Sequence, residues 1–262
     1  MRNITNFDFT KLGKFRKIYV LVSGGIDSTY LLEKITKIYP DKSYAVNCFN
    51  PMEGNKILKE IERQTEKYVS IKPNVDYNLS DVIKNAFKSI PEAIKLKKKG
   101  KYHKKVFGCC RILKHDMFKK DPRFSEPGTV VVTGIKHGDG SQRAAFLSML
   151  RNGKLIIGTS NTVNNYRANG WDFTPKPTFF HKHTWGATYC YPFRDYYYRE
   201  LPEDIIEELK EKYNNIGHNG CYVCPVLVVF KIKSEGERYR KSLEYYRKVC
   251  NIKKQEYDAC EI

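Results

Sequence analysis

The chain has 262 residues, 41% of them hydrophobic, with 47 Lys and Arg against 29 Asp and Glu. That length supports a substantial core without disulfides, and that composition excludes wholesale disorder. The net charge of +18 makes a polyanionic partner a class to test, with plain solubility as the bland alternative.

No run approaches the ~18 apolar residues of a membrane span. The densest apolar stretch is the short Val226-Leu227-Val228-Val229-Phe230. The first residues, Met1 to Asp8, contain no apolar secretory core, so a cytoplasmic chain without a membrane partner is expected. In that compartment eight cysteines point to metal or redox chemistry rather than to a disulfide framework.

The β-branched run Arg16 to Val22 reads as a buried strand. Leu31, Leu32, Ile35 and Ile38 then recur at helical spacing, and Pro40 closes that helix. Tyr44 to Phe49 is a second strand. Ile57, Leu58, Ile61 and Tyr68 mark a second amphipathic helix, and Val69 to Ile71 a third strand. Alternating strands and helices predict an α/β fold, a parallel sheet with helices on its faces. Val82, Ile83, Ala86, Phe87 and Ile90 predict another helix, followed by Pro91. Gly128 to Gly134 holds a Val-rich strand, and Gln142 to Leu150 a helix. Leu155 to Gly158 reads as a strand, and residues 160–190 as a long, locally structured loop. Pro202 opens a helix bearing Ile205, Ile206, Leu209 and Tyr213, with Gly217 placed to end it. Two domains are expected: residues 1–230 for nucleotide and cluster, and residues 231–262 as a basic helical C-terminal extension.

Between the first strand and its helix stands Ser23-Gly24-Gly25-Ile26-Asp27-Ser28. Two glycines let backbone approach a ligand closely, and the helix start behind them offers N–H groups and a positive dipole end. Ser23 and Ser28 add hydroxyls. The loop suits phosphate, yet it lacks the Gly-Lys-Ser/Thr of a Walker A loop and the glycine spacing of a dinucleotide fingerprint. A carboxylate, Asp27, is out of place in an anion cradle unless it caps the helix or holds a cation such as Mg²⁺. Taken alone, a Gly-Gly pair is only a turn.

Cys109 and Cys110 are adjacent, and Cys221 and Cys224 form a Cys-x-x-Cys pair. Two thiolate pairs make a candidate site for a metal or a cluster. Adjacent side chains diverge along a regular backbone, which is awkward for one zinc ion. A cubane has separate iron corners, so a 4Fe–4S cluster is favoured over zinc. Four buried thiols without metal are the bland alternative.

The loop hexapeptide resembles the signature of the PP-loop ATP pyrophosphatases, the adenine-nucleotide α-hydrolase-like superfamily. The cysteine pattern resembles its phosphoadenylyl-sulfate (PAPS) reductase branch, whose iron–sulfur members use an adjacent Cys-Cys and a later Cys-x-x-Cys. Other segments agree in order. Cys110-Arg111 and Lys114 follow that branch's Cys-Cys-x-x-x-Lys pattern. Gly134-Ile135-Lys136 with Arg143 resembles its Gly-Ile-Arg…Arg segment, with Lys136 in place of arginine. Tyr191-Pro192-Phe193-Arg194-Asp195 resembles its Tyr-Pro stretch, with Tyr196 where Trp stands. Phe49 to Glu53 falls where the family carries a Thr-Gly segment, absent here. The likeness spans about residues 17–230.

The resemblance implies ATP bound across Ser23 to Ser28, Mg²⁺ near Asp27, and cleavage between the α and β phosphates. Lys136 and Arg143 would neutralise the pyrophosphate charge. The adenylated group would then be replaced by sulfur, with a partner protein as sulfur or electron donor. Two departures turn the expectation from a reductase towards an ATP-using relative. The reductases' Glu-Cys-Gly-x-His motif is missing, the chain ending Asp258-Ala259-Cys260-Glu261-Ile262. The phosphate loop, which reductases often relax, is intact. A sulfonucleotide reductase releasing sulfite, and a non-enzymatic redox-sensing nucleic-acid module, remain the alternatives.

Lys95 to Lys105 holds seven lysines in eleven positions. Residues 231–254 add nine Lys and Arg against three Glu, interleaved with Tyr239, Tyr245 and Tyr246. Lysines contact phosphates and tyrosines stack on bases, so tRNA or DNA is the expected partner, against solvated charge as the bland reading. His181-Lys182-His183 reads as loop and Cys48 as core.

Overall fold

The computed structural model describes residues 1–48, 56–71, 79–102, 104–115, 121–139, 141–152, 178–183, 185–213, 216, 221 and 223–251. In chain order the elements are β1 (Lys17–Leu21), α1 (Ile26–Ile38), β2 (Ser43–Cys48), α2 (Lys56–Gln64), β3 (Tyr68–Ile71), α3 (Leu79–Lys88) and α4 (Ile90–Lys98). They continue with β4 (Thr129–Val132), α5 (Ser141–Asn152), β5 (Phe180–Lys182), β6 (Thr188–Cys190), α6 (Glu203–Lys212), α7 (Pro225–Val229) and α8 (Gly236–Cys250). No helix among the described residues is long and apolar enough to cross a membrane.

The chain forms two compact units, divided elsewhere than at residue 230. One comprises Met1–Asn47, Asn55–Ile71 and Lys119–Asn219; the other comprises Cys48–Gly54, Lys72–Phe118 and Gly220–Ile262. The first is α/β, as expected. Its six-stranded sheet has the order β3-β2-β1-β4-β6-β5. β1 pairs parallel with β2 and β4, β4 parallel with β6, and β5 antiparallel with β6. Ile18, Val20, Val130 and Val132 are fully buried, because a central parallel strand is covered on both faces. Leu31, Leu32 and Ile35 of α1 and Ile205 and Leu209 of α6 join the same core. From β1 the strands step one way to β2 and β3, and the other way to β4. The reversal between β1 and β4 is a topological switch point, where loops from the carboxyl ends of the strands open a crevice.

The second unit is helical. Ile83, Phe87 and Ile90 pack with Leu113, Val228, Val229 and Tyr246 in one cluster. The basic C-terminal helix α8 is therefore part of this unit's core rather than an appendage. Asn251 ends it in a left-handed conformation at φ 53°, one of the few non-glycine residues that tolerate it.

Four local expectations need correction. Tyr68 opens β3 instead of closing α2, because its β-prone side chain continues into Val69 and Ile71. Pro91 does not end a helix; it sits in the first turn of α4, where its missing N–H is harmless. Ile38, placed on the buried face by spacing, lies in the last turn of α1 and is 45% exposed. The segment read as one loop up to residue 190 contains β5 and β6, three residues each and too short to show a period. His181 and His183 thus lie on and beside a strand and are buried. The expected strand at 155–158, the segment 49–53, Gly217 and Cys260 lie outside the described residues.

Candidate functional site

β1 ends at Leu21 and α1 begins at Ile26, so Ser23 to Ser28 spans the turn at the switch point. Gly24 sits at φ 77°, a conformation glycine takes without steric penalty. The Ser28 hydroxyl accepts from the Ser23 N–H at 3.2 Å and donates to the Gly25 carbonyl at 2.9 Å, closing the turn on itself. Thr29 Oγ1 also donates to the Gly25 carbonyl. Gly25 is the N-cap of α1 and makes no side-chain cap hydrogen bond. The first N–H groups of α1 therefore have no side-chain cap, the arrangement that suits an incoming anion.

The segment after β4 lies against this turn. A Cβ on Gly134 would meet the Ser28 backbone nitrogen at 3.3 Å and the Asp27 carbonyl carbon at 3.4 Å, so only glycine fits easily. That approach brings Lys136, 4% exposed, to Asp27, where Nζ donates to Oδ2 at 2.5 Å. The cation that Asp27 holds is thus a lysine ammonium of the same chain. Burial pushes the Asp27 carboxyl up, against the hydrogen bond and charge of Lys136 that pull it down. Asp139 Oδ2 accepts the Lys136 backbone N–H at 3.1 Å and pairs with Arg143 NH1 at 3.1 Å. Both predicted phosphate-facing cations therefore carry an acidic partner. Asp139 was not singled out from sequence, though its (i, i+4) spacing to Arg143 marks it as a partner.

The cysteine pairs belong to the second unit. Gly108, at φ 66°, turns the chain into Cys109 and Cys110, and a π-helical turn, Arg111–His115, follows. Cys109 is buried and Cys110 exposed. Cys224 is the N-cap of α7. Its backbone N–H donates to Ser242 Oγ of α8 at 2.9 Å, and Ser242, fully buried, donates to the Arg238 carbonyl at 2.7 Å. Arg238 Nε in turn donates to the Cys221 carbonyl at 3.3 Å. One turn of α8 thus holds both members of the second pair, a role that has no signature in the sequence.

The Cys109 thiol is held well up by its hydrogen bond with Cys110, then by burial, then by charge at Cys110, Cys224 and Cys221. Burial also raises Cys224, while N–H groups of Val226 and Leu227 and the charge of Arg238 pull it down. Tyr102 is pushed up to about 12 by burial and by charge at Cys224, Cys110 and Cys109. Among the described residues no group of three or more His, Cys, Asp or Glu side chains is placed to hold a metal ion.

The aromatic residues expected to stack on bases are mostly elsewhere engaged. Tyr246 is buried and Tyr245 packs edge-on against Phe87 at 4.8 Å. Of the lysine run, Lys97 donates to the Val229 carbonyl at 3.1 Å and lies over the Phe230 ring.

No family model and no curated protein matches the chain. Among solved structures, it is similar to the U34-tRNA thiolase NcsA from Methanococcus maripaludis with its 4Fe–4S cluster. The identity is 17%, the TM-score 0.46, and the alignment covers 97% of this chain and 80% of that one.

Proposed function

We propose that the chain is an ATP-dependent, iron–sulfur-containing enzyme that adenylates a nucleic-acid group and replaces its oxygen with sulfur. The observation that carries this is the intact, uncapped phosphate loop with Lys136 fixed on Asp27, in a chain whose two cysteine pairs fall in one compact unit.

ATP would lie with its phosphates at the N–H groups opening α1, oriented by Ser23 and Ser28. Mg²⁺, when bound, would add neutralising charge beside Asp27. Lys136 is already fixed against Asp27, so it meets the incoming phosphates without reordering. Arg143, tied to Asp139, adds a second positive charge. A carbonyl oxygen of the nucleic acid attacks the α-phosphorus and pyrophosphate leaves. A hydrosulfide-level sulfur from a donor then forms the C–S bond as AMP departs with the oxygen. A 4Fe–4S cluster held by Cys109, Cys110, Cys221 and Cys224 would supply soft Lewis-acid chemistry towards sulfur. Ser242 and Arg238 keep the last two of those residues in place.

The test is anaerobic purification with iron, sulfide and zinc analysis, followed by ATP turnover with RNA and sulfide. We expect a brown protein with about four irons per chain and AMP plus pyrophosphate as products. Asp27→Asn should abolish pyrophosphate formation. A colourless protein with one zinc and no AMP would overturn the assignment. Thiol-dependent sulfite release from adenylyl sulfate would install the reductase instead.

A further inference from the structure

We propose that Tyr198, with Tyr197 and Arg199 beside it, is a stacking ledge for an unpaired base of a nucleic-acid strand. This rests on the nucleic-acid part of the proposed function and adds where that strand is gripped.

Tyr197 and Tyr198 are 51% and 74% exposed, while most large aromatics of the same unit are buried. They follow β6 in the chain, and Lys136 follows β4. These strands are parallel neighbours, so both segments leave the sheet at its carboxyl edge. Close approaches between the two segments bear this out. A Cβ on Gly138 would meet the Arg199 Cα at 2.6 Å and the Tyr198 carbonyl oxygen at 3.0 Å. Residues 198 and 199 thus lie flush on the turn that carries Lys136 and Asp139.

The rings are held although they face water. Tyr197 stacks on His137 at 4.4 Å and 23°, and the His137 Nε2 lies 2.8 Å from the Arg194 carbonyl oxygen. Tyr198 meets Tyr196 edge-on at 5.6 Å. Tyr196 is itself fixed, its hydroxyl donating to the Glu200 carbonyl at 2.7 Å. Burial, with the Asp27 charge adding to it, pushes the Tyr196 phenol up. A pre-positioned aromatic face loses little entropy on stacking.

The rim chooses the ligand. Arg199, next to Tyr198 in the chain, is exposed, and Arg151, which pairs with Asp195 at 3.7 Å, lies 5.5 Å from the Tyr197 ring centre. An apolar peptide would make no use of the exposed Arg199 guanidinium. A strand whose base stacks on Tyr198 and whose phosphates meet Arg199 uses both features. The adenine of ATP offers the same π-face, so the test separates the two sources.

Whole protein is titrated with a fluorescent single-stranded RNA of about 12 nucleotides, with the same strand in a duplex, and with ATP. We expect Tyr198→Ala to weaken single-strand binding about ten- to hundredfold without changing its salt slope, and Tyr198→Phe to restore it. Arg199→Ala should lower the salt slope by up to ~0.7. ATP affinity should be the same in wild type and Tyr198→Ala. Equal strand binding by wild type and Tyr198→Ala overturns the ledge, as does a loss confined to ATP. Tyr198-dependent strand binding in a protein without iron or AMP formation keeps the ledge and removes the proposed reaction. AMP formation with Tyr198-independent strand binding does the reverse.

Discussion

Six consecutive residues, Ser23 to Ser28, make the phosphate loop, whereas the four thiols come from two stretches far apart in the chain. The loop's backbone is closed by its own hydrogen bonds between one strand and one helix, and Lys136 reaches its Asp27 from the segment after β4. The cysteine set depends on the packing of α7 and α8 and on a glycine-led turn in a different segment. A local site tolerates change elsewhere; an assembled one inherits the stability of everything that assembles it. The sharpest way to break this contrast is to remove one of the proposed cluster ligands. Cys109→Ala should drop iron from about four per chain to below about one. ATP affinity should stay within about twofold, measured by titration. A parallel loss of ATP affinity would mean that the two sites are energetically coupled.

The next effect belongs to the loop. Lys136→Met leaves the Asp27 carboxylate partly buried without its cation, and breaking such a pair destabilises by about 3 kcal/mol. The double variant with Asp27→Asn should recover part of that loss in urea melts, since neighbours in one pair are not additive. Strict additivity would show that the pair is incidental.

How far these sites were legible follows from the same contrast. The hexapeptide, its strand and its helix could be read directly, because turn chemistry and periodicity are local. The cysteine residues could be named, but their grouping into a helical unit with α8 could not. Val223, Val228 and Tyr246 form that core only through long-range packing, which leaves no period in the sequence. β5 and β6 were missed for length alone. Ser242 was invisible because a buried hydroxyl in a helix looks like any other serine until its partner, the Cys224 N–H, is located. Tyr245 and Tyr246 misled because interleaving with lysines marks a stacking surface and an amphipathic helix equally well.

Ser242 gives a smaller, sharper test of the assembled site. Ser242→Ala leaves the Cys224 N–H without its acceptor, worth about 1–2 kcal/mol in the iron-free protein. Iron should also be lost faster to a chelator, which a merely structural serine elsewhere in α8 would not cause. Unchanged chelation kinetics would remove Ser242 from the support of the pair.

Alkaline pH tests the burial of the thiols. Cys190 in the first unit and Cys109 and Cys224 in the second are all raised above the ordinary thiol range, Cys109 by its hydrogen bond with Cys110 and then burial, the other two by burial. The folded chain therefore keeps protons that the unfolded chain releases. Stability is full below about pH 9 and falls as pH rises through the unfolded value, by up to ~1.4 kcal/mol per pH unit per thiol. Tyr30 and Tyr68, pushed up to about 12, steepen the fall above about pH 10. Cys190→Ala should flatten the slope between about pH 9 and 10 by one thiol's share, read from urea melts of iron-free protein. An unchanged slope would mean that Cys190 ionises as freely folded as unfolded.

The lysine run gives the smallest effect and divides one segment into two roles. Lys95, Lys97 and Lys98 fill the last turn of α4, where cations favour the exposed carbonyls of the helix end. Lys97 is further engaged, donating to the Val229 carbonyl and lying 4.6 Å from the Phe230 ring centre, so it ties α4 to the segment bearing Cys224. Lys95, Lys98, Lys99 and Lys101 are exposed. If these four meet phosphates, replacing them with Gln should lower the slope of log affinity against log salt on duplex DNA by up to ~0.9 for each phosphate left without its lysine. Melting should be little changed, since solvated charges contribute little to stability. Lys97→Gln should do the opposite. It should cost about 0.5–1 kcal/mol of stability, because the carbonyl hydrogen bond and the ring interaction both go, and leave the salt slope of the other lysines in place. A salt slope unmoved by the fourfold change would leave these four lysines as solvated charge and Arg199 beside Tyr198 to meet the strand's phosphates.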